Sequence, residues 1–146
     1  MAAMRMAIEE LSEAIASGDE VTILAKTNLA GSALYSLWSL LGVSGLRQVE
    51  WAADDAERQN IVGLVYARGE AEHRGRHVAM AVGYGEAPYG RGPYGGGWLW
   101  RECATERPQY EQSQSLYESQ VLWEPLVNPM VRAEQWFATH LLLRTE

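Results

Sequence analysis

A chain of 146 residues with 47% apolar content is one domain's worth, long enough to bury a sizeable core. Its net charge of −7, with Lys26 its only lysine, excludes a basic surface for nucleic-acid backbone, and no apolar run approaches the ~18 residues of a membrane span. The single cysteine, Cys103, excludes an intramolecular disulfide framework and fits a reducing compartment.

Met4, Ile8, Leu11 and Ile15 recur at spacings of four, three and four. That stripe predicts a helix over residues 3–17, closed by Gly18, with Glu9, Glu10 and Glu13 in solvent. Glu9 and Glu10 also interrupt the stretch where a signal peptide's apolar region would run, so no secretion signal is expected. Residues 21–25 read as a short strand or extended entry. Thr27 or Asn28 can cap a second helix over 29–41, ended by Gly42, with Leu34, Leu37, Trp38 and Leu41 inward.

The period then changes. Residues 48–52 read as a strand, and Asp54-Asp55 as a turn or helix start. Residues 61–68 are rich in β-branched and aromatic side chains, and with 76–83 they read as an antiparallel hairpin. Residues 98–105 resume as a strand, 106–118 as a polar surface loop, and 119–123 as another strand. Asn128-Pro129 is a good helix start, with Met130, Ala133, Phe137 and Leu141 on one face. A strand over 136–144 competes with that helix, and the helix is preferred. The expected fold is therefore α+β in one domain, 1–146: two or three helices packed on a mostly antiparallel sheet.

Between two of the expected strands, residues 84–98 read YGEAP YGRGP YGGGW. Each pentad opens with Tyr-Gly, at Tyr84, Tyr89 and Tyr94, and the tract closes on Trp98. The chain holds six Trp and seven Tyr but one Phe, a bias toward rings with a polar tip, which suit half-wet surfaces and interfaces as well as cores. In the tract, Pro fixes φ, Gly permits positive φ, and Tyr supplies rigid amphipathic area. Three readings stand: a loop whose rings pack on their neighbours, an assembly element whose rings dock on an adjacent subunit, and a stacking platform for bases or sugars with Arg91 as cation. The second is preferred. The candidate partner-binding residues are Tyr84, Tyr89, Arg91, Tyr94, Trp98 and Trp100.

Repeated Tyr-Gly-x-Gly-Pro units of this kind resemble tracts in virion proteins of tailed bacteriophages, notably tail and baseplate components. The resemblance covers residues 84–98 only. It implies a structural subunit in a virion, made in the host cytoplasm: a connector, tail terminator, baseplate or decoration protein whose partners are copies of itself and other subunits.

Catalytic constellations are weak by comparison. His73 and His77 lie four apart, but Gly75 and two arginines stand between them in what reads as a hairpin loop, so no metal site is expected. Cys103 lacks a paired base in sequence and reads as a buried thiol. His140 has apolar neighbours. Ser32 and Ser44 lie in no nucleophile elbow, and Asp54, Asp55 and Glu57 read as a solvated turn. Gly83, Gly85 and Gly90 lack phosphate-loop spacing. No cofactor or catalytic residue is expected. The alternative reading is a small intracellular enzyme or ligand-binding domain with a pocket roofed by the aromatic loop.

Overall fold

The computed structural model describes residues 2–43, 47–75, 78–82 and 97–145. Helices dominate. In chain order they are α1 (Ala2–Ser17), α2 (Glu20–Ser39), α3 (Gln48–Trp51), α4 (Ala56–Arg74), α5 (Glu111–Gln120) and α6 (Val127–Thr145), with a 3-10 turn at Pro108–Tyr110. The strands β1 (Ala79–Val82) and β2 (Gly97–Trp100) form a two-stranded antiparallel sheet. The fold is α+β only in that broad sense, because the helices pack chiefly on one another rather than on a sheet.

α1 forms as its stripe predicts. Met4, Ile8 and Leu11 are buried, Ile15 packs on the core, and Glu9 and Glu13 are exposed. Glu10 is half-buried and accepts from Lys26 Nζ at 3.1 Å, which ties α1 to α2. α1 stops at Gly18, whose φ of +76° is open to glycine at no steric cost.

α2 begins nine residues earlier than the predicted start at 29. Asp19 is its N-cap residue, and the hydroxyl of Thr22 donates to the Asp19 carboxylate. Residues 21–25 are thus helix, not strand. Thr27 caps nothing; its buried hydroxyl donates to Ile23 O, one turn back in the same helix.

α4 is the central element and the largest correction. Residues 61–68, expected as a hairpin strand, lie inside it. Asp54 takes a left-handed φ of 60°, and Asp55 caps the helix by accepting from Arg58 N at 3.1 Å. From Asn60 to Leu64 every residue is buried, and Tyr66, Ala67 and Glu70 continue inward. From Ile61 to Ala67 the helix shows no polar face, because α2, α3, α5 and α6 all pack against it, while its two ends carry Glu57, Arg58, Glu72 and Arg74. Its closest neighbour is α5. A Cβ built on Gly63 would lie 3.0 Å from Tyr117 Cα and 3.0 Å from Val121 Cγ2, so only glycine lets the two helices approach this far.

Three other expected segments change. Residues 48–52 form the short helix α3. Residues 106–118 hold the 3-10 turn and most of α5, and residues 119–123 hold the end of α5 and a turn. α5 is polar along most of its length and is anchored by buried Ser113 and Tyr117. The C-terminal segment is a helix, as preferred from sequence, with Met130, Ala133 and Phe137 buried and Leu141 packed on the core.

β2 pairs on both sides. Ala79 is in register with Trp100 and Val82 with Gly97. On its other edge, Leu99 bridges Pro125, Trp100 N donates to Glu124 O, and Leu126 N donates to Trp98 O. Beyond the strand, two tyrosines clamp the chain. Tyr66 donates to Cys103 O at 2.5 Å, and Tyr117 donates to Arg101 O.

Two further clusters join the helices. Trp51 of α3 packs edge-on to Trp38 of α2 at 5.2 Å and to Trp136 of α6 at 5.4 Å between centroids, with the Arg58 guanidinium 4.9 Å from the Trp51 ring centre. Asn60 donates to Pro129 O at 3.0 Å and accepts from Arg132, which also donates to Gln120 O. That network fixes the start of α6 against α4 and the end of α5.

Candidate interaction surface

The candidate partner-binding residues do not stand together. Tyr84, Tyr89, Arg91 and Tyr94 lie outside the described residues. Trp100 is not a displayed ring: it is 2% exposed, and its indole Nε1 donates to Leu126 O at 3.1 Å. Its place between two pairing segments puts it in the core, so it is a structural tryptophan of its own chain. Trp98 is half-buried against the core and lines an open groove of about 310 Å³ with Ile15, Leu99, Pro125 and Leu126. Of the tryptophans, Trp38, Trp100 and Trp136 are buried and Trp51, Trp98 and Trp123 half-buried. Much of the aromatic bias is thus spent inside the fold.

Where the tract leaves and returns is defined by its flanks. Val82 and Gly97 are the last register pair of β1 and β2. Residues 83–96 therefore connect the ends of one antiparallel pair, and they return to the point from which they leave.

The surface that sequence reading missed lies on α2. Val21 is 75% exposed, Leu40 at its C-cap 68% and Leu29 48%, and Tyr35 is exposed beside them. At 100° per residue, Val21, Ala25, Leu29, Ser32 and Ser36 fall within one arc of roughly 80°, and Leu40 lies at its edge. Between Val21 and Leu40 the only charged side chain is Lys26, and it is held by Glu10. The opposite face, with Ile23, Ala30, Leu34 and Leu37, is buried. α2 is thus apolar or neutral around its whole circumference, while its own chain covers only one side of it. The available signal was the charge-free run on either side of Lys26, which splitting the segment into a strand and a helix concealed.

A second concave feature lies at the other edge of α2. A cavity of about 220 Å³ opens between the C-terminal half of α2, α3, α4 and the 3-10 turn. Tyr35, Trp38, Tyr66 and Tyr110 provide its rings, and Gln48, Arg68, Glu70 and Arg107 its polar groups. Gln48 is fixed by donating to Ser113 Oγ at 3.0 Å.

The groups weighed for catalysis are dispersed. Cys103 is buried, and the phenol of Tyr117 near it is held well above its ordinary pKa, first by burial and then by Cys103 and Tyr66. His140 stacks on Trp136 at 4.1 Å, with Nδ1 2.9 Å from Trp136 O. His73 sits in the last turn of α4 rather than in a hairpin loop, and His77 lies outside the described residues. Among the described residues, no cluster of three His, Cys, Asp or Glu could hold a metal, and no helix is long and apolar enough to cross a membrane. No family model, characterised protein or solved structure gives a significant match to this chain.

Proposed function

We propose that the protein is a structural subunit of a repetitive assembly, of the kind from which tailed-bacteriophage particles are built, and that it acts by docking on copies of itself through the outer face of α2. The observation that carries this reading is the uncovered, charge-free stripe from Val21 to Leu40. Apolar residues scattered singly on a surface mean little, but a row on one helix face marks a contact. The occupant is a second copy because of charge. Each chain carries −7, and a face without carboxylates lets two copies meet without opposing like charges. The Tyr-Gly tract, presented from the end of a strand pair, supplies a second contact element through Tyr84, Tyr89 and Tyr94. Trp98 belongs to the groove at its base.

The test is the oligomeric state of the purified chain and of two variants. The wild type is expected to associate in light scattering and mass photometry. Leu29→Glu places a desolvated carboxylate in the contact and is expected to shift the population to monomer with unchanged helical circular dichroism. Replacing Tyr84, Tyr89 and Tyr94 together by Ser is expected to weaken higher assembly without unfolding the monomer. A wild-type chain that stays monomeric at high concentration, or a Leu29→Glu chain that associates as before, defeats the α2 reading. The alternative, a ligand-binding or enzymatic domain, draws on the cavity beside Arg68.

A further inference from the structure

The arginines of this chain are unequally matched. Arg5 Nε lies 2.6 Å from Glu134 Oε1, Arg58 is 3.6 Å from Asp55, and Arg132 donates to Asn60 and to Gln120 O. Arg68 differs. It projects from α4 into the 220 Å³ cavity, with its Cζ 4.0 Å from the centre of the Tyr35 ring. Its Nε is out of water without a hydrogen-bond partner among the described residues, as are those of Arg58 and Arg132. Those two side chains make other hydrogen bonds, whereas Arg68 makes none among the described residues and is held by the Tyr35 ring. No carboxylate among the described residues pairs with it. A buried charged donor without an acceptor is costly, and an incoming anion relieves that cost.

We propose that this cavity binds a small monoanionic carboxylate with a planar, ring-like body. Arg68 is the residue that recognises the carboxylate, through the fork of N–H donors that suits two oxygens at once. Arg107, exposed at the rim beside Tyr110, supplies a second cation. Trp38, Tyr35 and Tyr110 supply flat apolar walls for the ring. The volume sets the size. It lies below the ~300–1,000 Å³ of sites for drug-sized ligands, so a single ring with a short acid arm fits. Glu70 sets the charge. It lines the same cavity, is 6% exposed and has a partner of its own, so its carboxylate disfavours a dianion such as phosphate while leaving a monoanion tolerable. The cavity adjoins the α2 face at Tyr35, but Val21, Leu29 and Leu40 do not line it, so a substitution at Leu29 leaves its lining intact.

Benzoate and benzamide form the deciding pair, since they match in shape and differ in charge. Calorimetric titration of the full chain is expected to show benzoate binding at least about tenfold more tightly than benzamide, with inorganic phosphate weaker than benzoate. Arg68→Gln is expected to abolish the preference for benzoate. Arg107→Gln, at an exposed position where little effect on stability is expected, should weaken benzoate several-fold and keep the preference. Equal affinity for benzoate and benzamide, tighter binding of phosphate, or no heat with any of the three overturns the proposal. So does a folded Arg68→Gln chain that binds benzoate like the wild type. The Leu29→Glu chain is expected to bind benzoate unchanged, and loss of binding there overturns the independence of the two sites.

Discussion

α2 and α4 are of nearly equal length, and each carries a long run without a polar face: α2 over most of its length, α4 over its middle, from Ile61 to Ala67. Only α4 is enclosed by its own chain. Four helices surround α4, whereas α1, α4 and α6 cover one side of α2 and leave Val21, Leu29 and Leu40 in solvent. The same sequence signal therefore has two meanings. In α4 the missing polar face is answered inside the monomer. In α2 it is answered only if another surface arrives.

Substitutions separate the two cases. Leu64→Ala, at a fully enclosed position of α4, is expected to cost about 2–5 kcal/mol in urea denaturation. A small loss there would mean that α4 is not the enclosed element. Gly63→Ala is expected to cost about 1–3 kcal/mol despite the better helix propensity of alanine, because the new methyl meets the backbone of α5. A neutral or stabilising result would show that α5 yields easily, and that the enclosure of α4 is loose on that side.

Tyr117→Phe is expected to cost about 1 kcal/mol near neutral pH by removing the hydrogen bond to Arg101 O. Its pH signature is sharper. Burial raises the Tyr117 pKa, so the folded chain keeps a proton that the unfolded chain releases above about pH 10. The stabilisation is complete below that pH and is lost as the pH rises beyond it. Alkaline melts of the wild type should fall more steeply than those of Tyr117→Phe, and parallel slopes would show that the phenol is not enclosed. The smallest effect belongs to α2. Leu29→Ala is expected to leave monomer stability within about 0.5 kcal/mol when measured under dissociating conditions. A loss as large as that of Leu64→Ala would erase the distinction between the helices.

What could be read in the sequence follows from the same contrast. α1 and α6 each bury one side, so their stripes repeat at helical spacing and both were legible. The middle of α4 is packed on nearly every side, and its run from Ile61 to Ala67 is continuous and rich in β-branched and aromatic residues, which periodicity cannot tell from a buried strand. α5 failed for the opposite reason. It is a polar segment of good helix formers whose deep anchors are Ser113 and Tyr117, too few to print a stripe. Trp98 and Trp100 sit two apart on one strand, and sequence placed both at an interface. Trp98 lines a groove, whereas Trp100 is closed over by the segment that ends in Leu126, a long-range pairing invisible in local pattern. The cavity around Arg68 draws on α2, α3, α4 and the 3-10 turn, and no local spacing could have announced it.

The pairing of Val82 with Gly97 has a consequence for how this protein can change. A connection whose two ends are already pinned a strand's width apart pays for length only logarithmically. A fourth Tyr-Gly pentad would cost about 0.3 kcal/mol of closure entropy, and removing one would return about as much. The number of pentads is thus close to a free variable. Adding or removing one Tyr-Gly unit is therefore expected to leave the stability of the helical core almost unchanged.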